Sequence, residues 1–539
     1  MHGLSRRDLM RAGLTIAAAA AAGTSLGACS NKGRGGPAGD LNAGVALPKY
    51  LRYKGFRPDL IGKDGVDDGT LAYPANPPKA TTGAPGDGRP VSALAMTNTP
   101  VPPALRNNVY WRQLNRRLGF DLQVELVPSA DFSQRFQTAV AGDKLPDLFA
   151  MFTGSVPSLP SMLDKKAVDL TPHLSGDAIA KYPLLANLPT ESWKLTTFGG
   201  KIFGVPVPRG AQSSTTLYGR RDLLEREKLT AEPKSLDDFA SLCRQLTAPA
   251  SNVWALGRVP LTWIQQAFGI PNSWSVQDGK LVSTLEHEHQ KDALNAARKL
   301  VQSGVVHPDS FGAPTTTWKT WMANDAIWLV DDTFSGWPGF YLYPVPESFR
   351  LLTWSPPALD GGRAPIWLGS PTYSMTSINV RAAERVEALL SVLNYLAAPF
   401  GTEEYLFKYF GVKGVDHRLQ GTDPQLTAKG RSETQLSMKY LAEGPWMIYQ
   451  PGRPQVTRDA FEAQSRLVPG ALQDPTRGLY SETDIRSGAQ IGLGDLVNDI
   501  LQGRQPVNKW DSAVAEWKKK GGGKIRDEYQ EALDKAGPR

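Results

Sequence analysis

The clearest hydrophobic pattern in the chain is a helical repeat of apolar residues over 386–397. The apolar positions are Val386, Leu389, Leu390, Leu393, Leu396 and Ala397. A helix with this spacing buries one face against a core. Pro399 and Gly401 interrupt the pattern, and a second helical run follows and ends at Gly411. A helix, a break, a second helix and a glycine loop together favour a hinge.

Short apolar runs alternate with helical patterns from residue 91 onward. Residues 91–96 are predicted as a buried strand, a helix follows, and 121–127 alternates as a second strand. This β-α-β order implies parallel strands with a right-handed crossover. A further helix leads to a strand that opens after Pro146. Ligands of open α/β sheets bind beyond the carboxyl ends of strands, so Phe152 and Thr153 are candidate ligand contacts.

Later strands carry candidate binding residues in the same way. Residues 326–330 form an apolar run that we predict as a buried strand, and Asp331 and Asp332 follow it directly. Residues 351–354 and 366–373 are the next predicted strands, and Tyr373 ends the second of them. Beyond residue 418 the chain continues into a polar insertion and a helical tail.

Composition and charge narrow the class of protein. With 539 residues, 41% hydrophobic and 21% charged, the chain fits a globular protein of two to four domains. The net charge of +7 is small for this length, and the compact basic run Lys518, Lys519 and Lys520 is best explained as a solvated helix end. We therefore expect no nucleic-acid partner, and we expect a monomer.

The N-terminus has the features of an export and lipidation signal. Arg6 and Arg7 precede an alanine-rich apolar run, which leads to the segment Leu-Gly-Ala-Cys ending at Cys29. Paired arginines before such a run resemble a twin-arginine signal, and the last four residues resemble a lipobox. A membrane-spanning helix is the alternative, but about 16 mostly alanine residues fall short of the roughly 20 that a span needs.

Residues 1–28 are accordingly predicted as a signal peptide, and Cys29 as the lipidated first residue of the mature protein. Residues 29–90 are rich in Gly, Pro, Asp and Lys without a sustained period, which indicates a tether and an irregular collar. The only other cysteine, Cys243, lies on an apolar helical face and is expected to be a core residue. His287 and His289 do not share a helical face, so they give little support for a metal site.

Several motifs, in order along residues 91–418, resemble those of one known family. They are Gly142-Asp-Lys-Leu-Pro-Asp147, Val168-Asp-Leu-Thr-Pro172, Gly200-Lys-Ile-Phe-Gly-Val-Pro206, Leu217-Tyr-Gly-Arg-Arg-Asp-Leu223 and Lys299-Leu-Val-Gln-Ser-Gly304. The chain resembles the extracellular solute-binding proteins of bacterial ABC importers, a group that contains maltose-binding protein. Residues after 418 match the family only loosely.

This resemblance implies an α/β, two-lobed periplasmic-binding-protein-like fold of type II, with hinge crossings and extra C-terminal helices. Lobe one would comprise residues 91–214 and 351–399, and lobe two residues 215–350 and 400–539. The lobes would close on a ligand by hinge motion. The implied function is capture of an oligosaccharide at the extracytoplasmic face of the membrane and its delivery to ABC permease subunits.

Two other functions remain open at this stage: a surface glycoside hydrolase or lyase, and a glycan-binding sensor or adhesin without transport. Asp331-Asp332 and Glu403-Glu404 supply possible carboxylates for hydrolysis. However, the chain has no Gly-x-Ser-x-Gly elbow, P-loop or zinc spacing, so we expect no enzyme activity and no cofactor. Large family members carry an Asp/Asn-rich calcium loop, whereas residues 247–254 here contain few oxygen ligands, and we expect no metal.

Aromatic residues dominate the candidate ligand contacts. Nine of the fourteen tryptophans lie between Trp254 and Trp367, and flat indole rings stack on the C–H faces of sugars. Trp337 is the leading stacking residue, because the resemblance and its position after a strand agree, whereas Trp328 is expected in the core. The remaining candidates are Trp263, Trp274, Trp367, Trp446, Tyr373, Phe152, Thr153, Asp331, Asp332, Arg209 and Gln212.

Overall fold

The computed structural model describes residues 38–152, 156, 158–487 and 491–536. The predicted signal peptide, Cys29 and Thr153 lie outside these residues. The strands are β1 (Ala38–Asp40), β2 (Val91–Thr97), β3 (Leu122–Pro128), β4 (Leu148–Met151), β5 (Thr197–Phe198), β6 (Lys201–Ile202), β7 (Val205–Pro208), β8 (Thr215–Arg220), β9 (Trp254–Leu256), β10 (Trp274–Gln277), β11 (Lys280–Ser283), β12 (Ile327–Thr333), β13 (Leu351–Trp354), β14 (Thr372–Ile378), β15 (His417–Gln420), β16 (Asp423–Leu426) and β17 (Leu479–Ser481).

The α-helices separate and cover these strands. They are α1 (Val109–Leu118), α2 (Ser129–Ala141), α3 (Leu159–Lys166), α4 (Thr171–Leu174), α5 (Thr190–Trp193), α6 (Arg221–Arg226), α7 (Leu236–Leu246), α8 (Leu261–Ala267), α9 (Gln290–Gln302), α10 (Thr315–Ala323), α11 (Trp337–Phe340), α12 (Val386–Leu396), α13 (Glu403–Phe410), α14 (Ala428–Glu433), α15 (Pro454–Leu467), α16 (Glu482–Ser487), α17 (Gly494–Leu501), α18 (Lys509–Trp517) and α19 (Gly523–Ala536). No helix among the described residues is long and apolar enough to cross a membrane.

Lobe one is built on a five-stranded sheet with the order β3-β2-β4-β14-β7. Strand β2 pairs in parallel with β3 and β4, as the β-α-β pattern predicts, and β14 is antiparallel to both β4 and β7. Ala93 and Ala95 belong to one apolar cluster, and Leu94 and Met96 to another. Because alternate side chains of a strand point to opposite faces, the sheet has a packed core on both sides.

Lobe two is built on a four-stranded sheet with the order β13-β8-β12-β9. Strand β8 is antiparallel to β13 and β12, while β9 is parallel to β12. Leu217 and Leu329 lie in one apolar cluster, whereas Tyr218 and Val330 lie in a second. This sheet is therefore also covered on both faces, which gives the predicted two-lobed α/β architecture.

Three segments connect the lobes. Residues 209–214 join β7 to β8, and residues 355–371 join β13 to β14. A third connection follows the lobe-one residue Leu441 and reaches α15, whose Val456 packs in a cluster of lobe two. The chain thus passes between the two lobes at three places.

Strand pairing corrects one predicted lobe boundary. Leu351 pairs with Arg220 and Trp354 pairs with Leu217, so β13 belongs to the sheet of lobe two. The prediction that lobe one resumes at residue 351 is therefore wrong. The hydrophobic pattern identified a buried strand there but could not specify its partner, which is chosen by long-range pairing.

The break at Pro399 and Gly401 is not a hinge between lobes. The helices on either side of it, α12 and α13, share the same lobe-one core, to which Leu393 and Phe407 both contribute. The centroids of the Tyr110 and Phe407 rings lie 5.2 Å apart. Residues 400–442 thus extend lobe one, contrary to the prediction that everything after residue 399 belongs to lobe two.

The two ends of the described chain pack together. Strand β1 pairs antiparallel with β17, next to the C-terminal helix α19. Trp274, Trp510 and Trp517 form a small core between β10, α17, α18 and α19. In the collar, the Lys49 amide donates to the Gly176 carbonyl oxygen at 3.0 Å, which fastens this irregular segment to lobe one.

Candidate functional site

Four strand ends meet at one edge of the lobe-one sheet. Asn98 follows β2 and Phe152 follows β4, while Arg209 follows β7. Tyr373 lies at the start of the antiparallel strand β14, whose Thr372 pairs with Pro208. These positions form the carboxyl edge of the parallel strands, where ligands of open α/β sheets bind.

Arg209 lies against two aromatic rings at this edge. Its Cζ atom is 4.4 Å from the centroid of the Tyr373 ring and 5.4 Å from that of the Trp446 ring. Phe152 meets Tyr373 edge to face at a centroid distance of 5.2 Å. The structure thus brings together four residues that the sequence identified: Arg209, Tyr373, Trp446 and Phe152.

Tyr440 completes this group, which we call the Arg209 cluster (Asn98, Phe152, Arg209, Tyr373, Tyr440 and Trp446). Its ring centroid lies 5.5 Å from that of Tyr373, and the Asn98 side-chain amide donates to its hydroxyl oxygen at 2.9 Å. Burial raises the pKa of Tyr440, but the positive charges of Lys439 and Arg209 and its hydrogen bonds outweigh burial and leave the pKa below its usual value. The cluster therefore lies in a positive local potential.

The facing edge of lobe two carries paired charges. Arg258, just after β9, has its Nε atom 2.9 Å from Asp331 Oδ1 on β12, close enough for an ion pair. Lys319 Nζ lies 3.1 Å from Asp332 Oδ2. Burial raises the pKa of Asp331 to about 6, against the opposing effect of Arg258. Both predicted carboxylates are thus engaged by cations of their own lobe.

Trp318 offers an indole ring on the same side of lobe two. The Arg258 Cζ atom lies 4.6 Å from its ring centroid, and the ring is only partly buried. Its Nε1–H has no hydrogen-bond partner among the described residues. Arg258 and the Trp318 indole therefore form a cation–π pair, in which the indole N–H is buried without a partner among the described residues.

A narrow pocket lies where the collar, the first crossing and α15 meet. Gln212, Trp337, Trp446 and Gln464 contribute to its lining. The Gln212 side-chain amide donates to Asp67 Oδ2 at 2.6 Å. Burial raises the pKa of Asp67 to about 7, although hydrogen bonds from Gln212 and Gln464 oppose the shift. The pocket lining thus combines glutamine side chains with indole rings.

Trp337 lines this pocket but offers little surface. It begins α11, is 4% exposed, and meets Tyr218 edge to face at 5.4 Å. The sequence indicated a turn after a strand, which is what the structure contains, but Phe334 and Phe340 pack around it in the same cluster. Trp337 is therefore a core residue with one edge on the pocket and not a freely presented stacking platform.

Three other predicted tryptophans lie away from the Arg209 cluster. Trp263 is fully buried, and its Nε1–H donates to the Trp354 carbonyl oxygen at 3.1 Å. Trp274 belongs to the C-terminal core, and Trp367 donates to the Ile270 carbonyl oxygen at 2.8 Å. Local sequence could not distinguish a turn tryptophan that packs inward from one that faces a ligand. Trp328, expected in the core, is partly buried and packs against an apolar cluster of lobe two.

Several residues of the site were not identified from the sequence. Asn98 follows a predicted strand, so the rule that selected Phe152 applies equally to it. Tyr440, Asp67 and Trp318 carry no such local signal, because they reach the site from the segment after α14, from the collar and from a helix. Only the tertiary structure places them beside the strand ends.

A family model, described as bacterial extracellular solute-binding protein, matches residues 104–377. The chain belongs to this family. Lipoprotein LipO of Bacillus subtilis (strain 168) is 21% identical over 442 residues, which cover 77% of this chain and 86% of that protein. The polygalacturonan/rhamnogalacturonan-binding protein YtcQ of the same organism is 21% identical over 462 residues, covering 79% and 88%.

Solved structures share the architecture. The alginate-binding protein AlgQ2, in its crystal structure without calcium ion, superposes with a TM-score of 0.62 at 13% identity, covering 85% of this chain and all of that one (100%). This likeness confirms the two-lobed fold predicted from the sequence motifs. The family match confirms the resemblance stated from those motifs.

Proposed function

We propose that this protein captures an oligosaccharide outside the cytoplasm and delivers it to the permease of an ABC importer. One observation carries the proposal: the Arg209 cluster gathers aromatic and hydrogen-bonding side chains at the carboxyl edge of the lobe-one sheet, next to the segments that join the lobes. The names of YtcQ and AlgQ2, both binders of polysaccharides, support a carbohydrate as the ligand.

The chemistry of the cluster fits a sugar. Phe152, Tyr373 and Trp446 are partly exposed and present ring surface, on which the C–H faces of pyranose rings stack. Asn98 is exposed and Arg209 supplies charged N–H donors, and such groups bind hydroxyls and ring substituents. An apolar wall with a few oriented polar groups is the usual construction of a small-ligand site.

Closure of the two lobes would complete the site. Arg258 and Trp318 lie on lobe two, where the Arg258 Cζ atom is 4.6 Å from the Trp318 ring centroid. A ligand that contacts both lobes favours the closed state, because it gains contacts there that the open state lacks. The permease would then recognise the closed, loaded form.

The carboxylates of the protein favour binding over hydrolysis. Asp331 and Asp332 are paired with Arg258 and Lys319. Glu404 accepts hydrogen bonds from the Ala80 and Thr81 amides at 2.9 and 3.0 Å. Glycoside hydrolysis requires two carboxyl groups that face one bond across about 5–9.5 Å, with a proton or water to transfer. We therefore propose a binding protein and not an enzyme.

The proposed location is the extracytoplasmic face of the cell membrane, with a lipid anchor at Cys29. The segment Leu-Gly-Ala-Cys and the preceding arginine pair support this assignment, as does the description of LipO as a lipoprotein. One acyl chain alone binds a membrane only marginally, so stable anchoring needs the several chains of a lipoprotein modification.

A thermal-shift screen with an oligosaccharide panel tests the proposal. At about 100 times the dissociation constant, a bound sugar adds about 2.7 kcal/mol to the free energy of unfolding. We expect at least one oligosaccharide to raise the melting temperature and to be recovered intact after incubation. Release of shorter sugars would instead indicate an enzyme, and a panel without any stabilising sugar would contradict the proposal.

A further inference from the structure

Buried cations elsewhere in the described chain are neutralised by carboxylates. The Arg220 side chain, 1% exposed, pairs with Asp222 at 2.8 Å and also with Asp325. The Lys408 side chain, 3% exposed, pairs with Glu443 at 2.9 Å. Such pairing is expected, because an isolated buried charge loses its hydration without compensation.

Arg209 departs from this pattern. It is 8% exposed, and among the described residues no carboxylate lies within ion-pair distance of its guanidinium. Its Nε–H has no hydrogen-bond partner there. Its neighbours are the rings of Tyr373 and Trp446 and the hydroxyl of Tyr440, with which it shares a hydrogen bond, and none of these groups carries the negative charge of a carboxylate.

Lys439 brings a second positive charge next to the Arg209 cluster. Lys439 Nζ lies 5.2 Å from the centroid of the Tyr440 ring, and it too lacks a carboxylate partner among the described residues. The lowered pKa of Tyr440 reflects the charges of both Lys439 and Arg209. On the opposite lobe, by contrast, Arg258 and Lys319 are each paired with an aspartate. The excess of positive charge therefore belongs to lobe one.

We infer that Arg209, assisted by Lys439, binds a carboxylate of an acidic oligosaccharide that contains uronic acid residues. This inference rests on the proposed function and specifies its substrate class. The planar guanidinium matches a carboxylate through two parallel N–H donors, and a carboxylate compensates the buried charge in a way that a sugar hydroxyl does not. The partly exposed rings of Tyr373 and Trp446 account for a carbohydrate, since a small inorganic anion uses no such surface.

The inference is tested by calorimetric titration with matched acidic and neutral sugars. The probes are trimers of galacturonate, mannuronate and guluronate, the methyl ester of each trimer, and neutral maltotriose and fructotriose. We expect one acidic trimer to bind at least 10-fold more tightly than its own methyl ester, because esterification removes the charge and keeps the rings. Tighter binding of neutral sugars or esters would overturn the inference while the proposed function stands. Absence of binding to every probe would contradict both.

A variant of Arg209 tests whether the sugar carboxylate binds at this residue. We expect Arg209→Gln to lower the affinity for the acidic trimer roughly 10- to 100-fold, because a charged hydrogen bond is lost. The affinity for the methyl ester should change little. Arg116→Gln, on the exposed last turn of α1, is the matched control and should change neither. A merely structural role of Arg209 would lower both affinities equally, and that outcome overturns the inference.

The variant Lys439→Gln provides an independent test of the inference, because it does not replace a buried residue. Lys439 is partly exposed, so this variant is expected to fold even if Arg209→Gln does not. We expect it to weaken the acidic trimer about 3- to 10-fold and to reduce the salt dependence of binding. Two results together would overturn the inference: unchanged affinity of Lys439→Gln for the acidic trimer, and displacement of the trimer by inorganic phosphate at concentrations equal to those of the trimer itself. They would show an anion site without preference for a uronate.

Discussion

Gln212 donates a hydrogen bond to the carboxylate of Asp67 at 2.6 Å, and this contact ties the first crossing between the lobes to the N-terminal collar. The Asp67 amide in turn donates to Gln464 Oε1 at 3.1 Å, on a helix of lobe two. The collar is therefore fastened at the point about which the lobes would move. Residues 59–71 of the collar are thus folded onto both the first crossing and lobe two.

Asp67 makes stability depend on pH in a defined direction. Its pKa is raised by burial from 3.8 to about 7, so the folded protein holds a proton that the unfolded chain releases between about pH 4 and 7. Stability from this group is greatest at low pH and is lost as pH rises through 7. We expect wild type to lose about 2–3 kcal/mol relative to Asp67→Asn between pH 5 and 8, most of it below pH 7.

Denaturant melts of both proteins at pH 5, 6, 7 and 8 measure this difference. The asparagine keeps an acceptor for Gln212 and does not titrate, so it is the matched reference. A difference between the two proteins that stays constant with pH would show that Asp67 is ionised throughout.

Trp337→Ala should lower the stability of the protein as well as its affinity for a sugar. The ring is 4% exposed and packs against Tyr218 in the core of lobe two. Truncation of such a residue costs about 3–5 kcal/mol. Chemical denaturation of the variant measures the loss, and a protein as stable as wild type would show that the ring is not part of the core.

Trp263→Ala serves as the counterpart away from the site. Trp263 is fully buried in lobe two and donates to the Trp354 carbonyl oxygen. We expect a loss of about 3–5 kcal/mol in stability with no change in sugar affinity at temperatures where the variant is folded. Weaker sugar binding by the folded variant would indicate that Trp263 contacts the ligand.

Chelation is expected to leave the protein unchanged. Residues 247–254 form a tight connection, in which Ala248 bridges to Val253, and no carboxylate lies within it. A calcium site needs six to eight oxygen ligands. Melting curves with and without EDTA should coincide. A drop in melting temperature that calcium restores would reveal a metal site elsewhere.

Replacement of Cys29 by serine should release the protein from the membrane. The anchor is proposed to be lipid on this cysteine, so a protein that lacks the cysteine is expected to lose its attachment. Fractionation after alkaline washing measures the distribution, with wild type as the membrane-bound control. A Cys29→Ser protein that stays with the membranes would contradict the lipoprotein assignment.

Local sequence rules predicted the strand-end residues of the site and failed where distant contacts decide. Phe152 was selected because it follows a predicted strand, whereas Arg209 was selected only as a polar candidate, and the structure places both against Tyr373. The turn at Pro399 was predicted as a hinge, but packing between Tyr110 and Phe407 keeps the following helix on lobe one. A break in a helix shows that the chain turns. Which core the next helix packs against depends on residues almost 300 positions away in the sequence, here Tyr110 against Phe407.

The tryptophans illustrate the same limit. Trp446 and Trp337 both adjoin a proline, yet Trp446 is partly exposed beside Arg209 while Trp337 is buried. The indole ring is both a large apolar surface and a stacking platform, so residue type alone does not choose between them. Neighbours from other segments make that choice.

The central claim, that a sugar binds against the Arg209 cluster, is tested most directly by calorimetric titration of wild type and Trp446→Ala side by side. Trp446 is partly exposed and lies 5.4 Å from Arg209 Cζ. With a sugar found by the thermal-shift screen, the account predicts one binding site per molecule in wild type. In Trp446→Ala it predicts an affinity loss of about 2 kcal/mol, or roughly 30-fold, with a nearly unchanged melting temperature. Equal affinity in the two proteins would contradict the account.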